Sequence, residues 1–207
     1  CRTVDNTLLF YPNARENRTY RIPDGIAAIS AYAFYDCDLL ESVVIPDSIT
    51  QIPERAFYGC SALASVSLPD SLTEIGIAAF SFCAALTDIR LPASITEISA
   101  GLFSGCSSLA TLEIPDSVTI IGGDAFVGCS SLTSMTIPDS VTCISKRTFS
   151  CCYNLMSIAL PSGLTAIEPG TFELCNSLTS IAIPDSITTI AEDAFVSCKA
   201  LQSFTLS

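Results

Sequence analysis

Apolar and polar residues follow one another along this chain in a pattern that repeats every 23 residues. Proline recurs at that step from Pro23 and Pro46 to Pro184, phenylalanine from Phe34 to Phe195, and cysteine from Cys37 to Cys198. Each unit carries apolar residues 3, 6, 10, 11, 14, 17, 20 and 22 places after its proline, and only Thr148 and Thr171 depart from this rule. A fixed period of this length is typical of a solenoid, in which successive coils stack on one another.

Within one unit the spacing predicts the elements of a coil. In LASVSL, Val66 and Leu68 alternate with serine, which is typical of a short strand with one buried face. Pro69 follows, lacks a backbone donor and ends that strand, and PDS is typical of a turn. SLTEI predicts a second short strand, and AAFSFC has apolar residues at helical spacing, which predicts a short helix.

The main strands are therefore predicted once in every unit, paired in parallel. Their positions are about 41–45, 64–68, 87–91, 110–114, 133–137, 156–160, 179–183 and 202–206. A single unit buries too little apolar surface to offset the entropy lost when its backbone is ordered. We expect eight repeats over residues 23–207 to form one solenoid, because neighbouring coils cover each other's faces.

The two ends of the chain differ from the repeats. Residues 1–22 keep two extended runs, TLLFYP and RTYRIP, around the polar segment NAREN, which predicts a hairpin that caps the first coil. At the other end no polar cap is visible, and Ser207 stands where the next proline belongs. We expect either a fragment of a longer protein or an open end covered by another chain, as in self-association through that end.

The charge of the chain changes which partners are plausible. The formal net charge is −12, from 21 acidic and 9 basic residues, which argues against nucleic acid and anionic membrane surfaces as partners. No stretch approaches the roughly 18 unbroken apolar residues of a membrane span, and CRTVDNTLLF lacks the residue order of a signal peptide. No membrane insertion is expected.

The residue types needed for enzyme chemistry are sparse. The chain has no histidine, which removes the commonest general base, and it has no GxGxxG, P-loop or GxSxG motif. We therefore predict no catalytic and no cofactor-binding residues, and no enzyme activity. With neither histidine nor a CxxC pair, no metal site is predicted. The aspartates that follow six of the eight prolines favour turn capping, with a calcium ladder as the alternative.

The cysteines fall into two groups. Those at the repeat step are expected to be buried and reduced, because a coil rise of roughly 4.8 Å exceeds the roughly 3.8 Å between the Cβ atoms of a disulfide. In this interpretation they pack as small apolar side chains. Cys1, Cys143 and Cys151 lie outside the repeat positions, and they are the candidates for reactive thiols or for disulfide bridges.

Candidate binding residues are those that depart from the repeat on its surface. The outward strand positions carry small, mostly hydroxyl-bearing residues, except for three charged ones in the third and fourth units. Exposed aromatic residues, with Tyr32 among them, are expected on the flank of the first three units; the alternative is that they merely cover the flank edge. The predicted partner-binding residues are Tyr35, Tyr58, Phe82, Asp88, Arg90 and Glu113.

The unit resembles the BspA-like leucine-rich repeat family, also called the Treponema or bacterial-surface-antigen type. Its 23-residue unit, LxxIxIPxxVTxIxxxAFxxCxxL, is matched from Leu40 through Leu63 and onward to Leu201. The commoner leucine-rich unit carries asparagine in the turn after the strand, where this chain has proline, so no asparagine ladder is expected. The resemblance implies an α/β fold: a right-handed, curved solenoid with parallel strands on the concave face and short strands and short helices on the convex side.

The same resemblance implies a role in adhesion or protein binding at a cell surface. We therefore expect a non-enzymatic interaction or adhesion module of a cell-surface or secreted protein, located extracellularly or at the cell surface. Its expected partner is a protein, or a host extracellular-matrix or cell-surface ligand. Two alternatives stay open: a structural spacer in a larger surface protein, and a targeting domain attached to an enzyme outside this segment.

Overall fold

The computed structural model describes residues 2–12 and 17–206, which form a series of stacked coils. We number the coils 1 to 8 from the prolines at 23, 46, 69, 92, 115, 138, 161 and 184. The strands are short, in chain order β1 Arg2–Val4, β2 Thr7–Phe10, β3 Thr19–Arg21, β4 Ala28–Ile29, β5 Ser42–Val44, β6 Gln51–Ile52, β7 Ser65–Ser67, β8 Glu74–Ile75, β9 Glu97–Ile98, β10 Ile120–Ile121, β11 Ser134–Thr136, β12 Cys143–Ile144, β13 Ser157–Ala159, β14 Ala166–Ile167, β15 Ser180–Ile183, β16 Thr189–Ile190 and β17 Ser203–Leu206.

The first row of strands confirms the predicted parallel pairing between coils. β3, β5 and β7 form one parallel sheet, β11 pairs with β13, and β15 pairs with β17. Partners lie exactly one repeat apart, as in the pairing of Ser42 with Ser65. We call this side of the solenoid the strand face. Two of the predicted strands, 87–91 and 110–114, are wrong, because these segments lie on the strand face without forming strands.

A second row of two-residue strands confirms the other predicted extended segment. β6 pairs with β8, β9 and β12 flank β10, and β14 pairs with β16, all in parallel. In most of these strands the first residue is exposed and the second is buried, as in Glu74–Ile75. The alternation of side chains along a strand therefore places the isoleucines in the core.

The predicted short helices are wrong, because no helix occurs in the described ranges. The backbone explains the error. In every coil the residues 9 and 13 places after the proline have a positive φ, as at Ala78 (53°) and Phe82 (60°). A helix cannot include such residues, since they lie in the left-handed region. The apolar spacing of AAFSFC is satisfied instead by consecutive turns, and the fold is a parallel-strand solenoid rather than an α/β one.

These turns form the most continuous backbone ladder of the molecule. We call the residues 8 to 14 places after each proline the turn segment. In coil 2 the amides of Arg55, Phe57 and Gly59 donate to carbonyl oxygens of coil 3 at 2.9, 2.9 and 2.8 Å. The amides between them bond within the segment, as Tyr58 does to Arg55 at 3.2 Å. Alternate amides thus join neighbouring coils, and the same arrangement links coil 3 to coil 4 and coil 4 to coil 5.

The core between the two strand rows is a stack of identical side chains. The stacked phenylalanines are buried from Phe34 to Phe172 and half-buried at Phe195, with ring centroids 4.6 to 6.2 Å apart and interplanar angles of 18° or less. The cysteines lie beside them. From Cys60 to Cys198 each repeat thiol donates to the carbonyl of a phenylalanine of the preceding coil, as Cys83 does to Phe57 at 3.2 Å, and Cys37 donates to the carbonyl of Tyr11 at 3.7 Å. The repeat therefore supplies both the apolar stack and a partner for its backbone carbonyls.

The N-terminal segment differs from its prediction. An antiparallel hairpin does form, but between β1 and β2, with Asp5 and Asn6 at positive φ as a tight turn between strands requires. The strand β3 lies in the sheet of the strand face, so the runs on either side of NAREN are not partners; residues 13–16 of that segment lie outside the described ranges. Tyr11 lies one repeat before Phe34 and stacks on it at 5.1 Å, so this segment extends the aromatic stack by one ring.

Three features of the fold stay predictions. They are the right-handed, curved form with the strands on its concave side, the boundary between cap and repeats at residue 22, and the capping role of the N-terminal segment. Within the described ranges no helix is long and apolar enough to cross a membrane.

Candidate interaction surface

Four aromatic side chains lie together on the surface of the first three turn segments. The rings of Tyr35 and Tyr58 are stacked at 5.2 Å with an interplanar angle of 2°, and Phe82 meets Tyr58 edge to face at 5.3 Å. The ring centroids of Tyr32 and Tyr35 are 5.7 Å apart. We call these four residues the aromatic cluster. Three of its members come from nearly the same position in successive coils and the fourth is a left-handed residue of coil 1, so the ladder of turns sets their spacing.

Arg55 anchors the aromatic cluster and was not among the predicted site residues. Its Nη1 donates to the hydroxyl oxygen of Tyr32 at 2.8 Å, and its guanidinium lies 5.8 and 5.9 Å from the ring centres of Tyr32 and Tyr58. The hydrogen bond to Tyr32 is the main cause that raises the pKa of Arg55. Arg55 lies one repeat after Tyr32, and this offset was the sequence signal that could have revealed the contact.

The predicted aromatic residues thus come together, and the cluster is open to solvent. Tyr35 is 39% and Phe82 is 50% exposed, and Tyr58, whose ring contacts both, is half-buried. Aromatic rings held in one arrangement by stacking present contact area that needs little further ordering on binding. The aromatic cluster therefore offers ring faces and edges as contact area, with the guanidinium of Arg55 beside them.

The predicted charged residues lie on the strand face. Asp88, Arg90 and Glu113 are exposed, and Nη2 of Arg90 lies 3.8 Å from Oδ1 of Asp70. In the described ranges no ion pair or hydrogen bond joins the three to one another or to the aromatic cluster. The candidate residues therefore form two separate surfaces.

The strand face is interrupted at these charged residues, and a second time between β13 and β15. In the described part of the chain, no backbone hydrogen bond joins residues 88–91 to 65–68 or to 111–114, and none joins 111–114 to 134–137. Aspartate is disfavoured in strands, because its short side chain competes for backbone groups. Asp88 occupies a position that carries serine or threonine in the other coils.

A groove of about 810 Å³ lies where the ladder is interrupted. Val66, Leu68 and Leu112 are half-buried there, whereas the equivalent Val43 and Met135 in paired coils are only 1% and 5% exposed. Asp88, Arg90 and Glu113 also line the groove, as do Asp70 and Asp116. The groove therefore has a half-buried apolar floor between charged walls.

The core thiols are held in their protonated form. Burial raises the pKa of Cys106 and Cys152 to about 12, and their Sγ atoms donate to Phe80 and Phe126 at 3.1 and 3.2 Å. All the cysteines in the described ranges are free; Cys198 in the last coil is only half-buried. Of the three outside the repeat, Cys143 is exposed, Cys151 is half-buried and Cys1 lies outside the described residues.

The aspartates that follow the prolines are exposed and spaced one coil apart. Within the described ranges, no three acidic, cysteine or histidine side chains lie close enough together to hold a metal ion. Asp139 shows a capping role, since its carboxylate accepts hydrogen bonds from the backbone and hydroxyl of Ser162 at 2.8 and 3.0 Å. These bonds lower the pKa of Asp139, the backbone bond being the main cause.

Several solved bacterial proteins have similar structures. A leucine-rich repeat protein from Bacteroides ovatus aligns over 93% of this chain with a TM-score of 0.82 and 27% identity. A T. pallidum leucine-rich repeat protein aligns over 95% with a TM-score of 0.62 and 28% identity, and covers 82% of that chain. A leucine-rich cell surface protein from Faecalibacterium prausnitzii aligns over 90%, at TM-score 0.51 and 27% identity, and covers 72% of that chain. This chain spans 56% of the length of the B. ovatus protein.

The sequence itself matches a family with the same period. No curated protein sequence matches the chain. The BspA-type leucine-rich repeat region matches residues 10–126 and 96–207, with six copies of the repeat. Together these matches span nearly all of the chain and include every stacked phenylalanine described above. The chain is a member of the BspA-type leucine-rich repeat family.

Proposed function

We propose that this chain is a non-enzymatic protein-interaction or adhesion module of a cell-surface or secreted protein. The observation that carries the proposal is the aromatic cluster: Tyr35, Tyr58 and Phe82 form a row of contacting surface rings, of which the first and last are exposed, and Arg55 lies against Tyr58. Tyrosine and arginine are the residue types that dominate binding energy at protein interfaces. Its extracellular or cell-surface location is supported by the family and by the F. prausnitzii neighbour, which is described as a cell surface protein.

The proposed partner is a protein, or a host extracellular-matrix or cell-surface ligand. Nucleic acid is a poor alternative, because the net charge is −12. The test is surface plasmon resonance of the chain against purified matrix proteins, collagen and laminin among them, together with a displayed library of random peptides. We expect saturable binding that is weakened about tenfold or more by the double change Tyr35→Ala and Tyr58→Ala, since each removes a hot-spot ring.

The control variants are chosen from the same solenoid. Ser157→Ala and Ser180→Ala change exposed strand-face residues of coils 6 and 7 and should leave binding unchanged. Arg90→Glu is measured separately, because it reports on the strand face and not on the aromatic cluster. The proposed site would be contradicted if the Ser157→Ala and Ser180→Ala changes weakened binding and the Tyr35→Ala, Tyr58→Ala change did not.

The structural spacer is a second candidate, and one observation favours it. In coils 5 to 8 the outward strand positions carry only serine, threonine and alanine, which offer few anchors for a partner. A chain that bound none of the matrix proteins or library peptides would support the spacer instead. The targeting-domain alternative stays a proposal as well.

Self-association through the last coil also stays a proposal. Ile190, Val196 and Phe204 are 48%, 41% and 52% exposed there, where coils in the middle of the stack bury their apolar faces. A second copy would cover this surface. Sedimentation equilibrium should then show a concentration-dependent dimer that Phe204→Glu abolishes; a chain that stays monomeric at all concentrations would exclude it.

A further inference from the structure

We propose that the groove on the strand face binds an extended peptide segment with alternating basic and apolar side chains. The inference deepens the proposed function and rests on it, since it names the partner chemistry of the Asp88, Arg90 and Glu113 surface. Its basis is the interruption of the parallel ladder between β7 and β11, which is separate from the aromatic cluster.

The backbone supplies the first argument. Residues 88–91 and 111–114 occupy the place in their coils where the other coils have a strand. In the described part of the chain they make no backbone hydrogen bonds to neighbouring coils. Backbone amides and carbonyls that face an open groove are the groups to which an extended peptide binds when it adds to a sheet. The bound peptide is therefore expected to be extended and to donate hydrogen bonds from its own backbone amides.

The apolar floor supplies the second argument. Val66, Leu68 and Leu112 are half-buried in the groove, whereas Val43 and Met135, the equivalents of Val66 and Leu112 in paired coils, are almost completely buried. Every second side chain of an extended peptide points the same way. Apolar side chains at alternate positions would therefore cover this floor.

The charge of the groove walls indicates which residues of the peptide alternate with its apolar ones. Four acidic residues line the groove against the single base Arg90, and Arg90 already lies 3.8 Å from Asp70. Asp88, Glu113 and Asp116 are left exposed without a basic partner among the described residues. Lysine or arginine at the outward positions of the peptide complements this charge.

The groove is held in shape from the side. Behind it the turn segments of coils 3 and 4 stay joined, with the amides of Ala78, Phe80 and Phe82 bonded to coil 4 at 2.9, 3.1 and 2.6 Å. The turn segments of coils 3 and 4 therefore stay stacked, although no backbone hydrogen bond joins residues 88–91 to 111–114 on the strand face in the described part of the chain.

The probe for the test is a fluorescein-labelled peptide of four lysines alternating with three valines, acetylated and amidated at its ends. Fluorescence anisotropy with the full chain should show saturable binding with a dissociation constant below about 1 mM. A peptide of the same sequence that is N-methylated on alternate residues should bind at least about tenfold more weakly, because it lacks backbone donors. A version with glutamate in place of lysine should not bind.

Matched variants separate the groove from general charge attraction. Asp88→Asn with Glu113→Gln should weaken binding about tenfold, and the same loss of charge by Glu74→Gln with Glu97→Gln, on the second strand row, should not. Amide resonances of residues 88–91 and 111–114 should shift on saturation. Equal effects of the two double variants, or equal binding of the N-methylated peptide, would overturn the proposal.

Two other outcomes are distinguishable. The Tyr35→Ala, Tyr58→Ala variant should bind the peptide as the unchanged chain does, so weaker binding by that variant would place the peptide on the aromatic cluster and overturn the groove. A dimer that Phe204→Glu leaves intact but that Asp88→Asn with Glu113→Gln abolishes would place a second copy of the chain in the groove and overturn the proposal also. Absence of peptide binding by a chain that still binds a matrix protein through Tyr35 and Tyr58 would refute this inference alone and leave the proposed function intact.

Discussion

At the scale of single residues, stability depends on side chains that stack on copies of themselves. Phe126 is buried between Phe103 and Phe149, with ring centroids 5.7 and 5.4 Å away. The sequence predicted these buried positions because the apolar step is regular. It did not predict how Thr148 fits the core: its hydroxyl donates to the carbonyl of Ser145 at 2.6 Å, and so a polar side chain is buried without an unsatisfied group.

The first prediction compares a stacked ring with an exposed one. Phe126→Ala should lower the free energy of unfolding by about 3–5 kcal/mol, because it leaves a cavity between two rings. Phe82→Ala removes a ring that is half-exposed and should change stability by no more than about 1 kcal/mol. Urea unfolding followed by circular dichroism measures both. Equal losses would contradict the assignment of Phe126 to the core and Phe82 to the surface.

The second prediction concerns the core thiols and pH. The folded-state pKa of Cys106 is raised to about 12 by burial, whereas an unfolded thiol titrates near 8.5. The stabilising contribution is complete below the unfolded pKa and is lost as the pH rises toward the folded pKa, at about 1.4 kcal/mol per pH unit for each such thiol. Urea unfolding in reductant should show the loss between pH 8 and pH 10.

Cys106→Ser is the control for that prediction. Serine keeps a donor for the Phe80 carbonyl but does not titrate in this range. The variant should therefore lose less stability between pH 8 and pH 10 than the unchanged chain, by one thiol's contribution. Identical pH dependence of the two proteins would show that Cys106 is not protected in the folded state.

At the scale of elements, the turn segment determines the fold more than the strands do. The strand face is broken between coils 2 and 5 and again between coils 6 and 7, but the turn segments donate hydrogen bonds from coil to coil in both regions. The sequence could not show this, because apolar spacing alone does not distinguish a helix from consecutive turns with the same inward side chains. The left-handed residues include Ala78, Phe82 and Leu174 as well as glycines. The positions of the glycines in the sequence therefore did not reveal which residues have a positive φ.

The third prediction tests the left-handed positions with two glycines. Gly101 has a φ of 64°, and an added Cβ would lie 3.7 Å from that of Ala78, so Gly101→Ala adds backbone strain without a clash. We expect a loss of about 1 kcal/mol in the free energy of unfolding. Gly25 has open space and no positive φ, so Gly25→Ala should be neutral or stabilise by up to about 1 kcal/mol. Thermal unfolding of the two variants compares them directly, and a stabilising Gly101→Ala would contradict the left-handed assignment.

At the scale of the whole molecule, the repeat period predicted the stacking, the parallel register and the position of the aromatic cluster. The proximity of Tyr35, Tyr58 and Phe82 follows from the period, because their positions lie at nearly the same place in three successive coils. The groove did not follow from it. Asp88, Arg90 and Glu113 were selected as charges, but the loss of strand pairing around them depends on backbone contacts that the repeat pattern predicts to be uniform.

The central claim is that a ladder of turns holds these coils together and leaves the strand face open between coils 2 and 5. Hydrogen exchange of the unliganded chain, resolved by amide, tests it most directly. The amides of Phe57, Phe80 and Phe103, bonded to the next coil at 2.9, 3.1 and 2.8 Å, should exchange at least about a hundredfold more slowly than those of residues 89–91. Exchange at 89–91 as slow as at the three phenylalanines would contradict the claim, because it would show a continuous ladder on the strand face.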